Sequence, residues 1–262
     1  MDPHILFFDI DGTLMDEETG CISDKTKEAL QEARKNGHYT FLNTGRSFAE
    51  LDPDVVNVGF DGVVCGCGTY IEYQGENLMK HSIHGEEAVD MVKTLTECKI
   101  DAILEGDHHF YVSKNATGRK LLAVKDYFGE KVNRKCRFWE DKTPQFQKMS
   151  ILLNEESDFT TFQEKYKNDF EFIQRGRTFY EVVPRGYSKA TGIEFLMKHL
   201  GIKREHTMAI GDSANDLAML EYATISIAMG NSKDLVKEKV AFVTKTVKEE
   251  GVAYALSHFG FA

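Results

Sequence analysis

Residues 5 to 14, ILFFDIDGTL, limit the possible folds more than any other part of the sequence. The apolar, β-favouring first half indicates a buried strand, but this strand runs directly into two carboxylates, Asp9 and Asp11. Side chains two residues apart lie on the same side of an extended segment, so these like charges stay close together. In open parallel sheets, ligands bind at the carboxyl ends of the strands. The pattern therefore predicts a functional site where this strand ends.

Helices and strands alternate in both terminal parts of the chain. Ser23 is a candidate N-cap for a helix that runs to about Asn36, where Gly37 ends it, and YTFLNTGR follows as a second strand. Near the other end, the strand HTMAIGD follows a helix whose apolar residues are spaced to form one face: Ile193, Leu196, Met197 and Leu200. Apolar strands without strict alternation, separated by helices, predict a parallel sheet that is covered on both faces.

The middle of the chain follows a different pattern. Hairpin-like pairs of strands with alternating polar residues predict an antiparallel sheet with helices on one face. We interpret residues 81–184 as a second domain inserted into a core formed by residues 1–80 and 185–262. Its predicted elements are a helix over residues 86–98, strands at DAILEG and HFYVS, a helix at GRKLLAVKDYF, a strand at KMSILLN, a helix at DFTTFQEKY, and strands at FEFIQ and TFYEVVP.

Composition excludes several classes of function. The net charge of −10 over 262 residues disfavours a general nucleic-acid or anionic-membrane binder. No window resembles a membrane span or a signal peptide, so we expect a cytoplasmic location and no membrane partner. The cysteines are odd in number and lack C-x-x-C spacing, which argues against a disulfide framework or a zinc ribbon: Cys21, Cys65, Cys67, Cys98 and Cys136.

Four carboxylates are predicted to converge at one edge of the core sheet. Asp9 and Asp11 follow the first strand, and Asp212 and Asp216 follow the strand HTMAIGD. Such a cluster would repel itself strongly without a cation, and a set of ligands made only of oxygen favours a hard ion. We therefore predict a Mg²⁺ site that uses Asp9, Asp11, Asp212 and Asp216.

Donors for an anion are predicted at the same edge. Thr44 offers a hydroxyl, and the backbone N–H of Gly45 can approach an anion closely. Lys189 lies in the first turn of a helix, where its ammonium reinforces the positive helix end. A carboxylate beside Mg²⁺ can attack phosphorus when such donors neutralise the phosphate charge. A second aspartate, in the place of Asp11, can protonate the leaving oxygen and later activate water.

The chain resembles the haloacid dehalogenase superfamily, and within it the Cof-like phosphatases that carry a large α/β cap. The resemblance rests on four motifs in order along the whole chain: DIDGT from Asp9, NTGR with Thr44, GYSKATG with Lys189, and GDSAND from Gly211. The motif order is much more specific than any single motif. By this resemblance the fold class is α/β, with a Rossmann-like parallel-sheet core and an inserted α+β cap domain.

The resemblance also implies roles for the site residues. Asp9 would form an aspartyl phosphate, and Asp11 would act as general acid and base. Mg²⁺ would be held by Asp9, the backbone carbonyl of Asp11 and Asp212, with Asp216 in support. Phosphate would be bound by Thr44, Gly45 and Lys189, and Asn215 would help to orient this shell. One departure is the stretch Cys67-Gly68-Thr69, where the family commonly has Asn-Gly-Ala.

The function expected from these residues is Mg²⁺-dependent hydrolysis of a small phosphorylated metabolite, with sugar phosphates as the first expectation by family analogy. Two alternatives stay open. A phosphosugar mutase would use the same aspartyl phosphate but would retain a sugar bisphosphate. A non-enzymatic receiver-like module also clusters aspartates, Thr and Lys around Mg²⁺, but it would be about half as long and would lack the inserted domain.

Overall fold

A computed structural model describes residues 2–116 and 135–262. The helix predicted at GRKLLAVKDYF lies outside these residues. The described helices are α1 (Asp24–Lys35), α2 (Pro53–Val56), α3 (Gly85–Glu97), α4 (Phe159–Tyr166), α5 (Lys189–Leu200), α6 (Leu217–Tyr222), α7 (Asp234–Lys237) and α8 (Gly251–His258). The first strands are β1 (Ile5–Phe8), β2 (Tyr39–Asn43), β3 (Gly62–Cys65), β4 (Tyr70–Tyr73), β5 (Glu76–Lys80), β6 (Asp101–Glu105) and β7 (Phe110–Val112). They are followed by β8 (Cys136–Phe138), β9 (Lys148–Leu152), β10 (Phe170–Gln174), β11 (Phe179–Pro184), β12 (Thr207–Gly211), β13 (Ile225–Ala228) and β14 (Phe242–Val243).

The helix ends follow the local sequence. The hydroxyl of Ser23 accepts a hydrogen bond from the backbone N–H of Thr26 at the start of α1, as predicted. At the start of α5, Ser188 and Thr191 bond reciprocally in a capping box, and Gly201 ends the helix with a left-handed φ of 66°. These caps determine where α5 begins, and therefore place Lys189 in its first turn.

The first of two compact units contains the described residues up to Gly45, then Leu51–Met79 and Tyr187–Ala262. Its eight-stranded sheet has the order β14-β13-β12-β1-β2-β3-β4-β5. The strands from β14 to β3 pair in parallel, whereas β4 pairs antiparallel with β3. The connection between β3 and β4 is a tight turn, which is too short for the crossover that a parallel pair needs. This antiparallel edge was not part of the prediction.

The core of the first unit is formed by the apolar strands. Ile5 and Phe7 of β1, Phe41 of β2 and Val64 of β3 are fully buried against apolar residues of α5 and α6. Burial on this scale is the main source of stability for such a sheet. The packing holds the ends of the central strands in fixed positions.

The second unit contains Arg46–Glu50 and the described residues of Lys80–Gly186. Its six-stranded sheet has the order β10-β11-β9-β6-β7-β8, with antiparallel pairs except for the parallel pair of β7 and β8. One core cluster contains residues of α3 and α4 together with alternate residues of β6, β9 and β11. The prediction of a parallel-sheet α/β core with an inserted α+β region is confirmed. The grouping of Arg46–Glu50 with the second unit was not predicted.

On the same strands, the residues that alternate with those of this core cluster lie on the other face of the sheet, and several of them form a buried network of charges. The Nζ of Lys148 on β9 lies 2.7 Å from Oε2 of Glu105 on β6 and 2.9 Å from Oε1 of Glu181 on β11. Arg175 approaches Glu181 at 2.6 Å, and the hydroxyl of Ser150 donates to Glu105. Burial raises the pKa of Glu181, but Lys148 and Arg175 outweigh this effect and lower it to about 2. Lys148 therefore compensates two buried carboxylates at once.

Replacement of Lys148 is expected to destabilise the second unit strongly. Lys148→Met leaves Glu105 and Glu181 without their shared cation, and breaking a buried pair in this way costs about 3–5 kcal/mol. Lys165→Met is the matched control, because Lys165 pairs with the half-exposed Asp90 and its loss should cost less than about 1 kcal/mol. Urea unfolding measures both changes, and similar losses for the two variants would contradict the assignment.

No helix in residues 2–116 and 135–262 has the length and apolar character needed to cross a membrane.

Candidate active site

Asp9 and the turn after it are held at the end of the central strand. Asp9 is buried, and its backbone N–H donates to the carbonyl of Ile210, on the neighbouring strand β12. The turn that follows requires glycine: Gly12 has a φ of 76°, and a Cβ there would lie 2.6 Å from Oδ2 of Asp212. The first motif is therefore packed directly against the fourth.

Asp212 and Asp216 follow β12. Oδ2 of Asp216 accepts hydrogen bonds of 3.0 Å from the backbone N–H groups of Asp212 and Ser213. Asp216 is fully buried, and the short turn Ala214–Asp216 carries it back towards the strand end. Gly211 permits this return, because a Cβ there would lie 2.6 Å from the Cβ of Asp216.

Lys189 connects the two acidic motifs. Its Nζ lies 2.6 Å from Oδ1 of Asp9 and 2.5 Å from Oδ1 of Asp216. Only 1% of the residue is exposed. Its position at the start of α5, directly after the Ser188 cap, brings the ammonium to the strand ends. Charge-assisted hydrogen bonds of this kind are about twice as strong as neutral ones.

The remaining predicted site residues also lie in the first unit. Thr44 and Gly45 directly follow β2, which neighbours β1, and Thr44 is buried with its backbone N–H donating to the carbonyl of Val64. Asn215 lies in the turn between Asp212 and Asp216, where its side-chain carbonyl accepts a hydrogen bond from the hydroxyl of Ser213. Asp9, Thr44 and Asp212 thus follow three adjacent parallel strands.

The charges of the cluster do not cancel. Three carboxylates share the one ammonium of Lys189. Burial and the charge of Asp216 raise the pKa of Asp9 to about 8, although Lys189 opposes the shift. Burial and Asp216 also raise the pKa of Asp212 to about 7. Burial by itself lowers the pKa of Lys189, but Asp216 and Asp9 outweigh it and raise this pKa above the ordinary lysine value. The site therefore favours a further positive charge.

The arrangement fits a hard divalent cation. Carboxylate oxygens of Asp9, Asp212 and Asp216 lie within 4.8 Å of one another. Within the described parts of the chain, Oδ1 of Asp212 is a buried atom without a hydrogen-bond partner. Both oxygens of Asp216 are already engaged, so Asp9 and Asp212 are better placed to bind an ion directly. The sequence analysis expected four converging carboxylates, but that of Asp11 is not in this group of three. The roles of Asp11 as a backbone ligand and as a proton carrier stay predictions.

Two residues that the sequence reasoning missed contact this region. The side-chain amide of Asn43 donates to the carbonyl of Lys189 at 2.9 Å. The side-chain amide of Asn231 donates to the carbonyl of Gly12 at 2.8 Å, and its oxygen accepts from the N–H of Val247. Asn43 ends a buried strand and Asn231 closely follows one. A polar residue at the end of an apolar strand, or just after it, is a sequence pattern that could have identified both.

Comparison with known proteins agrees with the motifs. The family model for haloacid dehalogenase-like hydrolases matches residues 6–256. This chain belongs to that family. The predicted family is confirmed, and membership makes the protein a hydrolase.

Relatives of this hydrolase include named phosphatases. It is 29% identical over 268 residues to the 5-amino-6-(5-phospho-D-ribitylamino)uracil phosphatase YcsE of Bacillus subtilis, covering 99% of this chain and 96% of the relative. YitU of the same organism, which has the same enzyme name, is 27% identical over 98% of this chain and 97% of its own. The solved structure of the subclass IIB sugar phosphatase BT4131 matches 99% of this chain and 100% of its own, with a TM-score of 0.81 and 30% identity. These relatives support a phosphoric monoester hydrolase.

Removal of one carboxylate should stabilise the metal-free hydrolase. A carboxyl group with a raised pKa binds its proton more tightly in the folded state than in the unfolded chain. For Asp212, the favourable contribution is therefore complete below its unfolded pKa of 3.8 and is lost as the pH rises through about 7. In EDTA, we expect Asp212→Asn to have a Tm above the wild type by about 2–4 °C at pH 8, with a smaller difference at pH 5.

Thermal unfolding with and without Mg²⁺ tests this prediction. The ion should raise the Tm of the wild type much more than that of Asp212→Asn, because binding to the folded state alone stabilises it. Asp24→Asn is the control, since Asp24 lies exposed at the start of α1. A Tm difference that does not change with pH would contradict the charge repulsion argued from the cluster.

Proposed function

We propose that this hydrolase is a Mg²⁺-dependent phosphomonoesterase that acts through an aspartyl phosphate on Asp9. The observation that carries the proposal is the buried bridge from Lys189 to Asp9 and Asp216, beside an Asp212 oxygen that lacks a hydrogen-bond partner in the described structure. The site combines a buried nucleophilic carboxylate, a neighbouring ammonium and an excess of negative charge that a cation would neutralise. Such a site is suited to an anionic phosphate ester.

In the first step, a carboxylate oxygen of Asp9 forms a bond to phosphorus while the ester P–O bond breaks. Asp11 donates a proton to the leaving oxygen, which departs as an alcohol. Lys189 orients the carboxylate of Asp9, and it also neutralises part of the phosphate charge together with the Thr44 hydroxyl and the Gly45 N–H. In the second step, Asp11 removes a proton from water, the water oxygen bonds to phosphorus, and the bond to Asp9 breaks with release of phosphate.

The cation would be held by Asp9, Asp212 and the backbone carbonyl of Asp11. Asp216 would support the site through its bonds to Lys189 and to the backbone of Asp212. When bound, Mg²⁺ would supply positive charge that balances the carboxylates and the phosphoryl oxygens. Asn215 would maintain the turn between Asp212 and Asp216 through its contact with Ser213.

We further propose that residues 81–184 form a cap that selects the substrate, and that the substrates are small phosphorylated metabolites, sugar phosphates first. The sugar phosphatase name of BT4131 and the phosphorylated substrate in the names of YcsE and YitU support this class. The cytoplasmic location and the absence of a nucleic-acid partner stay predictions from the sequence.

A phosphate-release assay tests the proposal. A panel of sugar phosphates, nucleotides and cofactor phosphates is incubated with the wild type in Mg²⁺ or in EDTA. We expect release only with the metal, and a loss of at least about 1,000-fold in kcat for Asp9→Asn, because the nucleophile is removed. Circular dichroism checks that the variant is folded, and Asp24→Asn should keep wild-type activity.

The same assay separates the alternatives. Turnover in folded Asp9→Asn would refute the aspartyl phosphate. Retention of a sugar bisphosphate without release of free phosphate would indicate a mutase, and stable phosphorylation without turnover would indicate a receiver-like module.

A further inference from the structure

Asn43 lies between the two elements that carry the predicted phosphate-binding side chains. It is the last residue of β2, immediately before Thr44, and it is fully buried. Its Nδ2 donates to the backbone carbonyl of Lys189 at 2.9 Å. A single side chain therefore joins the end of β2, just before Thr44, to the first turn of α5, which begins at Lys189.

The turn Gly66–Thr69 makes a second connection between the same two elements. The backbone N–H of Cys67 donates to the carbonyl of Thr44 at 3.2 Å. On its other side the turn touches α5, because a Cβ on Gly68 would lie 2.3 Å from the carbonyl oxygen of Ser188. This stretch is the one in which the sequence departs from the family pattern, and the turn makes the two contacts described here through its backbone.

The backbone of this turn has an unusual conformation. Gly66, Cys67 and Gly68 all have positive φ values, of 57°, 56° and 91°. A residue with a side chain, such as Cys67, adopts this conformation only at an energetic cost, and the conformation persists only where the surrounding structure holds it in place. The hydroxyl of Thr69 donates to the carbonyl of Gly66 at 2.8 Å and closes the turn.

We propose that Asn43 and the turn Gly66–Thr69 form a clamp that fixes the separation between the Thr44 hydroxyl and the Lys189 ammonium. In this role they are positioning residues for the phosphoryl group, and they do not touch the reacting atoms. The inference rests on the proposed phosphatase function and extends it. Donors to a phosphoryl group must be held within about 0.5 Å of their productive positions, and a misplacement of about 1 Å can cost 100-fold in rate.

The chemistry of Asn43 favours positioning over stability. In the described structure, its Oδ1 is buried without a hydrogen-bond partner. A buried carbonyl without a hydrogen-bond partner destabilises the folded state, and a leucine of similar size would avoid this cost. The carbonyl of Lys189 also lies in the first helical turn, where the helix itself supplies a donor. An asparagine at this position is therefore poor for stability, and its bond to Lys189 is what a leucine cannot replace.

The test compares Asn43→Leu with Asn43→Asp, which keeps the shape but loses the donor and adds a negative charge. Thr40→Val is the matched control, because Thr40 is equally buried at the other end of β2 and bonds to Asp61 instead. For each variant we measure the Kd of inorganic phosphate by calorimetry with Mg²⁺, KM and kcat for the best ester, the Mg²⁺ concentration that gives half-maximal activation, and the Tm.

We expect Asn43→Leu to weaken phosphate binding and raise KM by about 10-fold or more, and to lower kcat, with the Mg²⁺ requirement unchanged and the Tm at or above the wild-type value. Asn43→Asp should weaken phosphate binding more than Asn43→Leu does, because it also adds a negative charge. Thr40→Val should lower the Tm and leave the phosphate Kd within about two-fold of wild type, because its bond lies away from the clamp.

Wild-type affinity and KM in Asn43→Leu would overturn the clamp while leaving the phosphatase function intact. An equal loss of phosphate affinity in Thr40→Val would also overturn it, because the effect would then reflect general stability. If the wild type neither binds phosphate nor hydrolyses any ester, the proposed function fails, and the clamp fails with it.

Discussion

The repulsion between Asp9, Asp212 and Asp216 is the constraint on which the site depends. Three carboxylates converge within 4.8 Å, and one buried ammonium, that of Lys189, holds two of them. Removal of these charges from water is costly, and one lysine cannot compensate all three. The pKa values of Asp9 and Asp212 rise for this reason. Raised pKa values of this kind are typical of functional sites, and they agree with the cation and the anionic substrate that we propose.

The first unit supplies the rigidity that such a site needs. Asp9, Thr44 and Asp212 directly follow three adjacent parallel strands, so the fixed spacing of these strands sets the distances between the motifs. Glycines then bring the turns closer than other residues could, as Gly12 does against Asp212 and Gly211 against Asp216. The clamp proposed at Asn43 extends the same arrangement to the phosphate-binding side. The positions of the strand ends are therefore well defined, because the apolar core behind them is closely packed.

The second unit contains a buried network of a different kind. Lys148 joins Glu105 and Glu181 on three neighbouring strands, and each charge has a partner. Burial and the charge of Glu105 raise the pKa of Glu50 to about 8 in the same unit. Glu50 lies only six residues after Thr44, although Thr44 belongs to the first unit. The chain that carries the predicted phosphate-binding loop therefore passes directly into the unit to which we assign substrate choice.

Local sequence determined the elements and the motifs of this protein. The apolar run before Asp9, the Ser23 cap and the motif order were sufficient to predict the parallel core, the start of α1 and the family, because each depends on short-range chemistry. Only the tertiary structure decided which groups meet: the bridge from Lys189 to Asp216, the bond from Asn43 to Lys189, and the antiparallel edge at β4. These contacts join residues far apart in the chain, or depend on a turn whose backbone conformation its neighbours impose. Periodicity and spacing contain no information about such partners, because sheet order and side-chain packing fix them.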